Sequence, residues 1–496
     1  MEGTRKSRLK EILDWAVNKS EEKDLVQSNT YWIYGLPGIG KTSLAHSICA
    51  TLDDQGQLAG AFFCRRDDPN FSEPRNIRST LITKLAGVFP PFRSMVANRL
   101  RKSPNLKPET MTESVFLGFF QNFPYSPDHF LVFVIDAFDE CGDRHSRPAH
   151  LKLLTSVAAC VSWLKIIITS RPEADIKRFF NQSSYLQYDL ATDQEANHDL
   201  RNFAQREFGK VADEWYFPAP WPTNSLLDRL ISRANGLFIF IKTLVLALER
   251  CEDPTEFLKA ACDDSAGSGL KPLYRLYSSI LESRIVHSKA EFQRMVGVVL
   301  AAAPYRSLCE ETIAELAGMR PNLAKKWVDD LSSLLYRDEG TNGGIRVRHL
   351  SISDFLVNDS CPCDYRINPQ DANVQLGIVC LKTMVCQLRF NICGLEDSRL
   401  ANAEIEDLPS RITKNISDCL QYSSLYWSDH LCFTLDNHDP RVWESLKEFF
   451  GGLCPLFWIE VLSILGMVPI GAPSIRKVIS WAKVSPALTC IQDVSD

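Results

Sequence analysis

An apolar run, Tyr31-Trp32-Ile33-Tyr34, leads directly into Gly35-Leu36-Pro37-Gly38-Ile39-Gly40-Lys41-Thr42. The eight residues satisfy G-x-x-x-x-G-K-[ST] at every fixed position. A helical pattern opens at Ser43 and continues through Leu44, Ile48 and Leu52, which recur at the spacing of one helix face. A buried strand, a glycine-rich turn and a helix N-terminus together cradle an anion. Glycine lets successive backbone N–H groups point inward, and the helix end adds partial positive charge. The pattern predicts a phosphate-binding loop from Gly35 to Thr42, with Ser43 in the first turn behind it. Lys41 would reach the β- and γ-phosphates of a nucleotide, and the Thr42 hydroxyl would hold Mg2+.

Such a loop needs an acidic partner at the end of another strand. His129 to Ile135 is nearly continuous in apolar residues, as a central parallel strand covered on both faces should be, and it ends in Asp136-Ala137-Phe138-Asp139-Glu140. Ligands sit beyond the carboxyl ends of strands in sheets of this type. Asp136 is thereby placed to hold Mg2+, directly or through water. Asp139 and Glu140 are candidates for orienting or deprotonating an attacking water. A third apolar run, Trp163 to Thr169, ends in Ser170-Arg171-Pro172. Arg171 at that tip can make a forked contact to phosphate oxygens. Phe62-Phe63-Cys64 and Tyr185 to Tyr188 complete the set of strand candidates, and Ile77, Leu81 and Leu85 keep helical spacing between them. The fold class read from this is α/β: a parallel sheet of about five strands wrapped by helices.

Bulk properties narrow the partners. At 496 residues the chain has room for about three domains. Its net charge of -6 gives no reason to expect nucleic acid as a partner. The first eight residues hold no apolar signal region. The most hydrophobic late stretch, Leu456 to Ala472, is interrupted by Glu460 and Pro469, and reads as a buried helix and turn rather than a membrane span. The 16 cysteines are scattered, without a C-x-x-C pair, and read as core thiols on apolar faces such as those of Cys160, Cys380 and Cys432. A reduced, cytoplasmic chain is the expectation.

Taken together, the loop, the Asp136 strand and the Arg171 strand resemble the NACHT family of signal-transduction ATPases, the STAND-class phosphate-loop NTPases that include the NOD-like receptors. In that family a small residue follows the magnesium aspartate, here Ala137, and an acidic pair lies further on, here Asp139-Glu140. Leu164 to Pro172 is similar to the family's sensor strand. Ala234 to Phe240 is similar to a helix start in the helical subdomain of fungal members, and lacks the proline that packs on adenine in many animal relatives. Leu276 to Leu281 resembles the entry to a winged-helix domain. Ile345 to Leu356 resembles its ending, where a histidine faces the β-phosphate of ADP; His349 is the matching position. On the residues alone, a histidine in an alternating strand is a satisfied structural residue. The segment around Gly3-Thr4-Arg5 and Ile12 to Ala16, and the stretches Asn391-Ile392-Cys393 and Tyr426 to Leu431, resemble fungal NACHT proteins, which are often fused to β-propeller or ankyrin repeats.

The resemblance divides the chain into an N-terminal helix and linker (1–29), a nucleotide domain (30–190), a helical subdomain (191–270), a winged-helix domain (271–360) and an all-α region (361–496). Asp263 to Gly269 reads as a flexible boundary, and Gly340 to Gly344 as the wing turn. No effector or repeat module is recognisable at either end. The resemblance implies a switch that binds ATP or ADP with Mg2+, hydrolyses slowly, and self-associates with protein partners in its ATP state. The competing reading is a nucleotide-bound interaction scaffold without useful turnover. A small-molecule kinase is disfavoured, since no compact acceptor lid is visible.

Overall fold

A computed structural model describes residues 5–17, 29–103, 111–182 apart from 122 and 125, 185–263 apart from 194 and 250, 269–397 apart from 342, 400–433 and 439–484. Gly3 and Thr4, the N-terminal linker, most of the Asp263–Gly269 boundary and Asn342 of the wing turn lie outside the described residues. The chain forms two compact units. One is Met1–Tyr277 together with the three-residue return His349–Ser351; the other is Ser278–Arg348 with Ile352–Asp496.

The first unit is built on a five-stranded parallel sheet. Its strands are β1 (Thr30–Tyr34), β2 (Leu58–Phe63), β3 (Leu131–Asp136), β4 (Leu164–Ser170) and β5 (Leu186–Asp189), in the order β2-β3-β4-β1-β5. Burial follows this order. Every residue of the interior strands β3 and β4 is buried, whereas β5 at one edge has no buried residue. That is why β3 and β4 read as nearly continuous apolar runs in the sequence, with Lys165 the one charged residue inside β4. The register pairs Tyr34 with Ser170, Ile135 with Ile168, and Phe63 with Asp136. The loop after β1, the acids after β3 and the tip of β4 therefore emerge along one edge of the sheet.

Helix α1 (Lys6–Val17) buries Ile12 and Ala16, with Leu9 and Leu13 half-buried beside them. Helix α2 (Lys41–Asp54) buries Leu44, Ala45, Ile48 and Leu52 and packs on β2, β3 and β4. The helix Pro74–Val88 turns Ile77, Leu81 and Leu85 inward against β2. The core is aromatic: Trp32 stacks on Phe180 at 4.6 Å, and Phe89 and Phe123 pack edge-on around Trp163. After β5 the chain is helical, with helices Ala196–Glu214, Asn224–Ala234 and Phe238–Leu248. Asn235 and Gly236, with φ of 48° and 78°, turn the chain between the last two.

In the second unit, helices Lys289–Ala302, Glu310–Ala317 and Pro321–Asp330 precede an antiparallel hairpin, β6 (Leu335–Asp338) and β7 (Gly344–Val347). The described residues from Pro369 to Val484 form α-helices and one short 3-10 turn. The Leu456–Ala472 stretch is not the buried helix that its hydropathy predicts. Helix Cys454–Ile464 buries Trp458, Val461 and Leu462, but Leu456 is 62% and Ile459 47% exposed on its other side. Among the described residues no helix is long and apolar enough to cross a membrane. The cysteines there are all unpaired; Cys380 is buried as expected, while Cys160 is exposed.

Candidate functional site

The phosphate-loop geometry follows from its glycines. Gly38 has φ 78° and Gly40 φ 101°, both in the left-handed region that side chains disfavour. Gly40 caps α2, and its carbonyl accepts the first helical bond from Leu44 N–H at 3.0 Å. Pro37 and Gly38 form the turn, closed by Ile39 N–H donating to Leu36 O at 3.4 Å, and Pro37 and Ile39 are buried. Lys41 folds back over the loop, its Nζ donating to Gly35 O at 2.8 Å and Leu36 O at 3.0 Å. Burial pulls its ammonium down to about 8, against the nearby charges of Asp139, Asp136 and Glu140. Ser43 lies in the first turn of α2, where its carbonyl accepts from the Ser47 hydroxyl.

Asp136 is the last residue of β3. Its Oδ1 accepts from Thr169 Oγ1 at 2.5 Å, and the Thr42 hydroxyl also bonds to its carboxylate. Burial pushes this carboxyl up, while the bonds from Thr169 and Thr42 and the charge of Lys41 pull it back. Thr42 and Asp136, 94 residues apart in the sequence, thus meet as two hard oxygen donors. This pair fits Mg2+, which takes one or two protein oxygens and fills its remaining positions with water and phosphate. An all-protein cage is a different arrangement, and among the described residues no three His, Cys, Asp or Glu side chains converge to form one.

Ala137 explains the spacing of the acids. It adopts φ 53°, and Thr169 Oγ1 accepts its N–H at 3.0 Å. The left-handed turn throws the chain into a 3-10 turn, Phe138–Glu140, anchored by the buried Phe138 ring. A small residue suits Ala137 because larger side chains cost more in this conformation. The two acids then separate in environment. Asp139 Oδ1 accepts from Arg171 N–H at 2.9 Å, and its Oδ2 lies 3.2 Å from Arg171 Nε, an ion-pair contact lacking hydrogen-bond alignment. Glu140 is only half-buried, its Oε2 accepting from Arg66 N–H at 3.4 Å. Burial and the neighbouring Asp139 push its carboxyl up to about 7. Of the two acids, Glu140 has the exposure and the proton affinity of a general base.

His349 is not in a strand. β7 ends at Val347, and His349 sits at the start of the helix Leu350–Leu356. Its Nδ1 accepts from Ser351 N–H at 3.2 Å, so the ring caps the helix. Its Cε1 stands 3.8 Å from the position a Cβ on Gly38 would take. Burial, with the charges of Arg171, Lys41 and Lys242, lowers its imidazole to about 3. The structure therefore brings Gly38, Lys41, Arg171 and His349 into one neighbourhood.

Several contributors were given no role in the site by the sequence reading. Arg5, buried, donates to Ile39 O at 2.8 Å and to Asp193 Oδ2 at 2.9 Å. Arg147 donates to the carbonyls of Asp139, Cys141 and Gly142. Ile239 N–H donates to Gly38 O at 3.3 Å, which seats the N-terminus of helix Phe238–Leu248 on the loop. An arginine near an acidic turn has no distinctive pattern; the sequence offered only the segments at Gly3-Thr4-Arg5 and Ala234–Phe240, neither with a role at the loop.

A family model described as "Nephrocystin 3, N-terminal" matches residues 10–171, which covers the loop, the Asp136 strand and Arg171. The vegetative incompatibility protein HET-E-1 of Podospora anserina is 25% identical over 490 residues. Residues 10–171 thus form a phosphate-loop region similar to that of NACHT-type NTPases. The match takes in 90% of this chain but only 34% of the fungal relative, so the chain spans about a third of that protein's length. Two solved structures are similar at a coarser level. A STAND protein with a tetratricopeptide repeat sensor from Pyrococcus horikoshii is 13% identical, with a TM-score of 0.40, over 97% of this chain and 64% of that one. A Walker-type ATPase of Pyrococcus abyssi is 14% identical, with a TM-score of 0.32, over 71% and 95%.

Proposed function

We propose that this chain is an ATP/ADP-binding signalling switch that hydrolyses ATP slowly. The observation that carries the reading is the His349 ring beside Gly38, on the same loop as Lys41. A β-phosphate cradled by Gly35 to Thr42 would meet both side chains. ADP would then favour the arrangement that includes His349, and ATP another, since a nucleotide shifts such an equilibrium only through different affinities for its two states. Mg2+ at Thr42 and Asp136 would neutralise phosphate charge, and Glu140 would activate water. The ties of Asp139 to Arg171 and of Glu140 to Arg66 N–H support slow turnover, and equally favour the scaffold reading. Three helices followed by the β6–β7 hairpin support a winged-helix reading of the region before His349. The relative's name, a vegetative incompatibility protein, supports self/non-self recognition or regulated cell death; a cytoplasmic location and self-association in the ATP state belong to the same reading.

The test is paired ADP and ATP titration calorimetry on the parent and on His349→Ala. The variant should lose about 1–3 kcal/mol toward ADP, the worth of a charge-assisted hydrogen bond, and less toward ATP. Unchanged ADP preference would remove His349 from the site. Single-turnover hydrolysis separates switch from scaffold, because a scaffold retains its triphosphate.

A further inference from the structure

One backbone amide sets the direction of a hydrogen-bond chain behind His349. Ser351 N–H can only donate, and it reaches His349 Nδ1 at 3.2 Å. Nδ1 therefore carries no proton. Ser351 Oγ lies 2.7 Å from the same nitrogen and must donate its own proton to it. That leaves Oγ as an acceptor, and Tyr277 OH, 2.8 Å away, supplies the donor. The chain runs Tyr277 O–H to Ser351 Oγ–H to His349 Nδ1, all within the first unit. Tyr277 and Ser351 are both 0% exposed, so water does not compete for these bonds.

The other ring nitrogen follows by elimination. A neutral imidazole with a bare Nδ1 carries its proton on Nε2. Cε1, bonded to both nitrogens, is the atom nearest the Gly38 side of the ring. We infer that Tyr277 and Ser351 are positioning residues that lock His349 as the Nε2–H tautomer, presenting a hydrogen-bond donor to a phosphate oxygen held by the loop Gly35–Thr42. The opposite tautomer would present a lone pair to an anion. The low proton affinity of the ring keeps it neutral, which leaves the tautomer to decide whether it attracts or repels phosphate. The inference rests on the proposed nucleotide switch for its ligand, but not for the tautomer itself.

The experiment uses the full chain with 15N-labelled histidine. Long-range proton–nitrogen spectra of the parent should show one ring, absent in His349→Ala, with Nε2 protonated and Nδ1 bare. Ser351→Ala and Tyr277→Phe should mix that signal toward the other tautomer. Both should weaken ADP binding several-fold while ATP binding changes by less than about twofold. In a His349→Ala background, Ser351→Ala should change ADP affinity no further, which a purely structural serine would not satisfy. Tyr277→Phe removes a single oxygen and stands in where Ser351→Ala folds poorly. A protonated Nδ1 in the parent, or a tautomer signal unmoved by both substitutions, overturns the inference. If His349→Ala leaves ADP affinity unchanged while the spectra behave as stated, the switch reading fails and the positioning chain stands.

Discussion

Arg171→Met tests what the arginine at the tip of β4 is for. The sequence casts it as a phosphate ligand; the structure spends its guanidinium on Asp139. Asp139 Oδ2 lies 3.2 Å from Arg171 Nε, and the two side chains are 2% and 14% exposed. At that separation two unit charges attract by about 5 kcal/mol at an effective dielectric constant of about 20. Breaking a buried pair from one side costs about 3–5 kcal/mol, because the remaining charge stays buried without its partner. Asp139 keeps its bond from the backbone N–H of residue 171 at 2.9 Å, which the substitution spares. That bond retains about 1 kcal/mol, so the expected loss is about 2–4 kcal/mol. Adding Asp139→Asn keeps an acceptor for that N–H and removes the stranded charge, so the double variant should recover most of the loss. Hydrogen–deuterium exchange of the β3 and β4 amides reads the opening of this sheet separately from the helical unit. A loss under about 1 kcal/mol, or a double variant no better than Arg171→Met, would refute the reasoning.

Glu140 makes a complementary case. With its folded value near 7 against an ordinary 4.5, the folded state binds more protons between those values, so this group's contribution is full below about 4.5 and lost as pH rises through 7. Glu140→Gln should melt higher than the parent at pH 8 but not at pH 5. It should also lose the rise of turnover with pH through neutrality, with turnover down about 10²-fold. Lys41, pulled down to about 8, should give ADP binding that weakens above that pH in calorimetry, a limb that Lys41→Arg abolishes. Lys41→Ala should weaken ATP and ADP alike by about 2–4 kcal/mol. Gly38→Ala would place its Cβ 2.1 Å from Ile239 Cγ2 at φ 78°, so it should cost more than the roughly 1–2 kcal/mol of left-handed strain and abolish nucleotide binding. Gly56→Ala, at φ 67° in open space, should cost only the strain and leave binding intact; equal behaviour of the two in melts and titrations would refute the packing argument.

The parts of this molecule legible in its sequence are those whose cause is local. Strands β3 and β4 are buried on both faces, so apart from Lys165 and their polar carboxyl ends they are apolar and the runs stand out. The phosphate loop is defined by backbone conformations that only glycine adopts cheaply, at Gly38 and Gly40, and these fall within eight residues. Helix faces such as Leu44, Ile48 and Leu52 declare themselves by period. The exposed face of helix Cys454–Ile464 did not, because hydropathy counts apolar residues without saying which side is covered, and Leu456 and Ile459 lie on the open one.

Assigning roles within the site needed the third dimension. Asp139 and Glu140 are adjacent in sequence and chemically alike, so pattern alone left their roles open. What separates them is Arg171, 32 residues away, whose position depends on the β3–β4 register. The arginines show the same limit. Arg5, Arg66 and Arg147 carry no sequence pattern that assigns them a role. In the fold they donate to main-chain carbonyls: Arg5 to Ile39, Arg66 and Arg147 to Asp139. A guanidinium offers five donors in a fixed fork, and Arg147 uses them on three carbonyls of one tight turn, against the two that Lys41 holds. Loops built around a glycine-rich turn and a left-handed Ala137 leave carbonyls without partners in any regular ladder, and buried carbonyls must be satisfied. The surplus of arginine around this site is therefore explained by the irregular backbone that the phosphate loop and the acidic turn require, before any ligand charge is considered.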